Sequence, residues 1–283
     1  MSSRSINTWL SAGILCMCLM GPAIAGEPDY RLVWQDEFDC KQRINEQDWG
    51  YENGFVRNRE MQWYHRDNAF CRDGYLMLEG RTESKANPNF EANSKNWRKS
   101  RKTVRYTSAS VTTKGKHAWQ FGRFEVRAKI VAQEGLWPAI WFMGQDGKWP
   151  SNGEIDLMEY YLGMILANAA WGGNYPAKPI WDATRTPLSH FKDAKWDEKF
   201  HVWRMDWDAD AIKLYVDDEL LNQIDIVNTV NPEGTSPQHP FLQPHYLILN
   251  LAIGGQQGGN PVDIVFPSPY IIDYVRVYQK SGE

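Results

Sequence analysis

Apolar and polar residues alternate along most of this chain, with a period of two. Phe124, Val126, Ala128 and Ile130 alternate with Glu125, Arg127 and Lys129, the pattern of a strand with one face buried and one in water. Phe200 to Asp208 and Ile212 to Asp217 predict a strand, a turn and a second strand. Asp73-Gly74 feeds a strand at Tyr75 to Glu79, and Tyr270 to Tyr278 closes the series. Tyr246 to Gly255 is nearly continuous in apolar residues, as expected of a strand covered on both faces. No stretch keeps a helical period, and no repeat or linker divides the chain. Many short strands separated by Gly and Pro turns predict an all-β sandwich or barrel with one core.

One stretch breaks the alternation. Residues 149–161 read Trp-Pro-Ser-Asn-Gly-Glu-Ile-Asp-Leu-Met-Glu-Tyr-Tyr and carry three carboxylates: Glu154, Asp156 and Glu159. In a regular strand Glu154 and Asp156 share a face while Glu159 points into the core. A β-bulge at Leu157-Met158 restores the phase, because two residues then stand opposite one. Glu159 then joins the other two acids. Glu154 and Glu159 lie about four strand steps apart, roughly 13 Å along the backbone. Their side chains can lean together towards the ~5–5.5 Å that a retaining glycosidase requires. A solvated strand edge with acids alternating by chance is the plainer reading, and it would win for a single Glu-x-Asp. Three acids in a half-buried strand are costly unless function holds them there.

Composition agrees with a carbohydrate ligand. The chain of 283 residues contains 14 Trp, and aromatics make up 13% of it; indole is a flat apolar partner for the C–H face of a sugar ring. Arg4, the apolar run Leu10 to Met20 and Ala23-Ile24-Ala25 predict a signal peptide over residues 1–25. The run is too short for a membrane anchor. The remaining domain, 26–283, has 30 basic and 35 acidic side chains, net −5, which argues against nucleic acid as partner. Cys40 and Cys71 remain after cleavage; they can pair in an oxidising compartment or stand as two thiols, and pairing is favoured. The six His show no zinc-ligand spacing. There is no nucleophile-elbow serine and no phosphate-binding glycine loop. Residues 84–102 form a loop with Lys95, Arg98, Lys99, Arg101 and Lys102; it is read as a solvated face, with contact to an acidic glycan as the lesser alternative.

Glu154-Ile-Asp-Leu-Met-Glu159 resembles the active-site signature of glycoside hydrolase family 16, in the bulged form of its laminarinase-like branch. Val33-Trp-Gln-Asp-Glu-Phe38, Asn58-Arg-Glu-Met-Gln-Trp-Tyr64, Gly122-Arg-Phe-Glu-Val-Arg and Gly135-Leu-Trp-Pro-Ala-Ile-Trp141 are similar to further blocks of that family. The resemblance covers nearly all of the chain after residue 25. It implies a two-sheet antiparallel jelly roll with a concave substrate cleft. It implies Glu154 as nucleophile, Glu159 as general acid/base and Asp156 as assistant. Asn58 and Glu60 would lie near the non-reducing end of the cleft. Trp137, Trp141 and Trp149 would form an aromatic platform, with Trp141 the most ready to be core. Asn168, Trp171 and Gln256 are further expected substrate contacts. No cofactor is required. A structural calcium is known in the family, and Asp273 matches one of its ligands.

Three positions depart from the laminarinase pattern. Ser110 stands where an arginine is usual, Ala170 where a histidine is usual, and Gln257 is nearest to a loop tryptophan. The expected function is therefore a secreted or periplasmic, monomeric, retaining endo-β-glycoside hydrolase acting on β-1,3- or mixed β-1,3/1,4-glucan. An endo-β-galactosidase cutting poly-N-acetyllactosamine or mucin O-glycans is the alternative. A non-catalytic glycan-binding jelly roll ranks below both, because such a protein is free to lose the acids that this sequence keeps.

Overall fold

The computed structural model describes residues 29–173 and 178–281; the expected signal peptide lies outside them. Two sheets pack face to face. The inner, concave sheet has seven antiparallel strands: β1 (Gly50–Tyr51), β2 (Ser110–Thr112), β3 (Leu136–Gly144), β4 (Glu154–Tyr161), β5 (Met164–Trp171), β6 (Ile180–Pro187) and β7 (His245–Ile253). Their order in space is β6-β5-β4-β3-β7-β2-β1. The second sheet has ten strands, with Gly122–Lys129, Ser268–Lys280 and His201–Trp207 near its middle. Of the sandwich or barrel that the alternation predicts, this is the two-sheet sandwich that the resemblance implies.

The core lies between the sheets. From β4 it receives Ile155, Leu157, Met158 and Tyr160; from β3 Leu136, Ile140 and Phe142; from β7 Leu247, Leu249, Leu251 and Ile253. The second sheet answers with Phe124, Val126, Ala128, Trp203, Met205, Trp207, Val275 and Val277. Its outer face is wet and charged, with Arg123 paired to Asp206 at 2.7 Å. Each fully buried aliphatic or aromatic side chain contributes about 1.5–3 kcal/mol, so the register of both sheets is firmly set.

Cys40 and Cys71 are joined in a disulfide, with Cα atoms 5.6 Å apart. Asp273 accepts a hydrogen bond from Arg127. Among the described residues no three His, Cys, Asp or Glu side chains gather to hold a metal.

The basic loop is not merely a solvated face. Arg98 Nε donates to the carbonyls of Phe55 (3.0 Å) and Val56 (3.2 Å). Arg101 donates to the carbonyls of Arg59 (2.7 Å) and Glu60. Two arginines thus clamp the segment 55–60, and Phe55, Trp63 and Val104, with Trp97 packed on them, form a small apolar cluster beneath it.

Candidate active site

The bulge sits where the parity of the acids requires it. Pairing of β4 with β5 runs Asp156↔Asn168 and then Glu159↔Leu166. With β3 it runs Asp156↔Trp141 and then Met158↔Ile140. Leu157 and Met158 both turn into the core, so Glu154, Asp156 and Glu159 share the concave face. The chain enters β4 through Gly153, whose φ of +81° favours glycine. Gly144 faces this turn so closely that a Cβ there would stand 1.8 Å from the Asn152 carbonyl oxygen.

Each acid has its own setting. Asp156 is 1% exposed. Burial, followed by the charges of Glu159 and Glu154, holds its pKa well above the usual carboxylate range. Its side chain is hydrogen-bonded to Glu154, a contact that favours the ionised form of Glu154. Glu154 is also raised by burial, while the Trp149 indole N–H, the Asp156 hydrogen bond and the charge of Arg57 pull it back. Glu159 is raised to about 7, first by burial and then by the charge of Glu154. It accepts hydrogen bonds from Trp137 Nε1 at 2.8 Å and Asn168 Nδ2 at 3.3 Å, both of which favour its ionised form.

The result is a pair of carboxyls with separated tasks. Glu154 is the more easily ionised and is held by two hydrogen-bond partners. Glu159 stays protonated up to about neutral pH. Divergent pKa values in neighbouring carboxyls are what a nucleophile and a general acid need.

Over residues 74–264 the sequence matches the profile of Glycosyl hydrolases family 16. The chain belongs to this family. It is a glycoside hydrolase, and its similarity to other members runs over almost its whole length. It is 33% identical over 286 residues to a β-glucanase of Rhodothermus marinus, covering 95% of this chain and 92% of the relative. A solved structure from a study of endo-acting O-glycanases, through which human gut bacteria initiate mucin breakdown, is 36% identical with a TM-score of 0.79. That similarity covers 89% of this chain and 91% of the other. The catalytic domain of an endo-1,3-β-glucanase (laminarinase) from Thermotoga petrophila RKU-1 is 32% identical with a TM-score of 0.72, covering 90% and 100%.

The remaining residues singled out in the sequence fall into two groups. Trp137 and Trp141 lie on the concave face, in small apolar clusters separate from the core. Trp141 donates to Asn250 Oδ1 at 2.7 Å, and Asn250 is held in turn by Tyr64 at 3.1 Å. Trp149 is 44% exposed and touches Glu154. Asn168 bonds Glu159 and also Asp156, at 3.4 Å. Glu60 is buried, accepts from Gln62 at 2.7 Å, and its charge bears on Glu159. Asn58 lies beside it at 3.4 Å. Gln256 is exposed in the loop after β7, where its backbone N–H donates to the Asn58 carbonyl at 3.0 Å; no side-chain contact brings it to the acids.

Trp171 is a correction. It belongs to the core between the sheets, edge-on to Phe241 with ring centroids 6.2 Å apart. Strand β5 pairs with β6 without a bulge. Asn168 and Trp171, three residues apart, therefore face opposite ways, and only Asn168 can look into the cleft.

Two concave-face residues escaped the sequence reading. Trp181 of β6 stands opposite Ala170 and is 46% exposed. Alternation on an edge strand is a signal that could have found it. Arg57 lies in a loop, where no periodicity points anywhere. Its guanidinium sits over the Trp141 ring at 5.0 Å and pairs with Glu52, which also accepts from Ser110 Oγ at 2.6 Å.

Proposed function

We propose that this family 16 hydrolase is an exported, retaining, endo-acting enzyme that cuts internal β-glycosidic bonds by double displacement. The observation that carries this is the arrangement on β4: Glu154 beside two hydrogen-bond partners that favour its ionised form, and Glu159, raised to about 7, on the same face. Glu154 attacks the anomeric carbon while Glu159 protonates the departing oxygen. Once Glu154 is esterified its negative charge is gone. That charge is the second-largest contribution to the high pKa of Glu159, so Glu159 becomes more acidic at the step where it must act as a base on water. Asp156 is hydrogen-bonded to Glu154 in the free enzyme. The same bond steadies the Glu154 carboxylate as it leaves. Endo action is supported by the similarity to the endo-1,3-β-glucanase of Thermotoga petrophila RKU-1.

The substrate is a β-1,3- or mixed β-1,3/1,4-glucan, supported by the similarity to the Rhodothermus and Thermotoga glucanases. A second reading, cleavage of galactose-containing O-glycans or poly-N-acetyllactosamine, is favoured by a specific observation. Ser110 and Ala170 leave the cleft without the usual arginine and histidine, and Arg57 and Trp181 stand next to these two positions. Purified protein on laminarin, mixed-linkage glucan, poly-N-acetyllactosamine and mucin O-glycans, read by product size with Glu154→Gln as control, separates the two. Oligosaccharides from the glucans support the first reading, and products from the galactose-containing glycans alone support the second. No products from any of the four overturns the proposed activity.

A further inference from the structure

Arg57 is built into the cleft more deliberately than a surface arginine needs to be. It comes from the segment that Arg98 and Arg101 clamp through backbone carbonyls. One end of its guanidinium, Nη2, is taken by Glu52, and Glu52 is fixed by Ser110 on β2. The planar group lies over Trp141 at 5.0 Å and near Tyr64 at 5.8 Å. Trp141 is the cross-strand partner of Asp156, so the guanidinium stands on the concave face one strand from the acids. Its other terminal nitrogen, Nη1, is covered and has no hydrogen-bond partner among the described residues. A buried donor left unpaired weakens the fold unless something else meets it; Glu52 holds Nη2 through both carboxylate oxygens, so Nη1 is the terminal nitrogen left for a ligand.

We propose that Arg57 is a specificity-determining residue of this hydrolase. Its free terminal nitrogen, Nη1, donates a hydrogen bond to a hydroxyl oxygen of the sugar unit bound beside Arg57 and Trp141, on the side of the cleft towards β7 and β2. This rests on the cleft reading given above and adds to it the group that recognises the sugar there. A second consequence follows from position. Arg57 is the cation whose charge favours ionised Glu154. The other groups bearing on Glu154 are Trp149 and Asp156, while its strand partners on β3 and β5, Met143 and Ala170, carry no charge. Removing Arg57 therefore shifts the acidic limb of the pH profile upward.

The test compares native protein, Arg57→Ala and Arg57→Lys on whichever of the four polymers the native protein cleaves. Affinity for an oligosaccharide of that polymer is measured on the Glu154→Gln background. Loss of a charged hydrogen bond predicts a fall of about 10- to 100-fold in kcat/KM and in affinity for Arg57→Ala. Arg57→Lys keeps the acidic limb in place but recovers little of the affinity, because an ammonium held by Glu52 has no second nitrogen to offer. Melting temperatures of the three proteins identify any loss of folded protein. If Arg57→Ala unfolds, the Lys variant alone decides. Arg57→Lys equal to native in kcat/KM and affinity overturns the proposal, as does a folded Arg57→Ala within twofold of native. A native protein inactive on all four polymers overturns the reading on which the proposal rests, and the proposal with it.

Discussion

Replacing Glu154 by Gln lowers the pKa of Glu159, and the size of the drop is set by what surrounds it. In the native protein Glu159 is raised from 4.5 to about 7. Burial is the largest cause and the charge of Glu154 the second, while Trp137 and Asn168 pull the other way. Two carboxylates ~5 Å apart at an effective dielectric of ~20 interact by about 3 kcal/mol, roughly two pKa units. That is an upper bound, because Trp149, Asp156 and Arg57 already offset the Glu154 charge. Burial also outranks Glu154 in the total, so a drop of about one unit is expected. Asp156 does not reverse the sign. Burial, the largest cause of its raised pKa, remains when Glu154 loses its charge. Carbon-13 NMR of glutamate-labelled protein follows the titration, with Glu159→Gln identifying the resonance. An unchanged or higher Glu159 pKa in Glu154→Gln refutes the coupling on which the acid-to-base exchange depends.

Glu159→Gln separates stability from activity. A carboxyl raised in the folded state stabilises most below its unfolded pKa, and that stability is lost as pH rises through its folded value. From about 4.5 to about 7 this amounts to at most about 3 kcal/mol. The variant should therefore melt several degrees above native protein at pH 8, with the gain shrinking towards pH 5, while turnover is nearly abolished; a pH-independent difference in calorimetry would contradict this. Activity of the native enzyme should fall above about pH 7 as Glu159 ionises, and a flat kcat/KM profile to pH 9 would show that it is not the acid. Trp171→Ala removes a core ring and should cost about 3–5 kcal/mol of stability in denaturant titration, with KM of the surviving folded enzyme near native; a large KM change without loss of stability would return Trp171 to the cleft. Arg98→Ala with Arg101→Ala releases the clamp on residues 55–60 and should raise KM severalfold with kcat little altered, whereas unchanged KM would make the clamp irrelevant to binding.

Sheet structure and the catalytic strand were legible because both rest on parity. The alternation at Phe124 to Ile130 gives the strand face directly, and the mismatch between Asp156 and Glu159 demands a bulge that the pairing of β4 shows. The same parity turns Trp171 of β5 inward, since it lies three residues from Asn168; its place among the expected contacts came from the family resemblance alone. Arg57 was beyond reach for a different reason. It lies in a loop, and its direction is set by Glu52, Ser110 and Trp141, which are 5, 53 and 84 residues away in sequence. The arginines of the basic loop read as solvated because charge runs usually are. Their backbone partners at residues 55–60 carry no side-chain signal. The upward shift of the Asp156 pKa was also hidden, since it follows first from burial on the concave face rather than from residue type.

The most direct test of the account is the anomeric form first released by the enzyme. Proton NMR of the new reducing ends, recorded within the first minutes on the cleaved polymer and compared with Glu154→Gln as the blank, distinguishes the two outcomes. Initial release of the β-anomer, with the α-anomer growing only by mutarotation, is what a glycosyl-enzyme on Glu154 predicts. Initial release of the α-anomer would mean that water attacks directly, and that Glu154 is not the nucleophile.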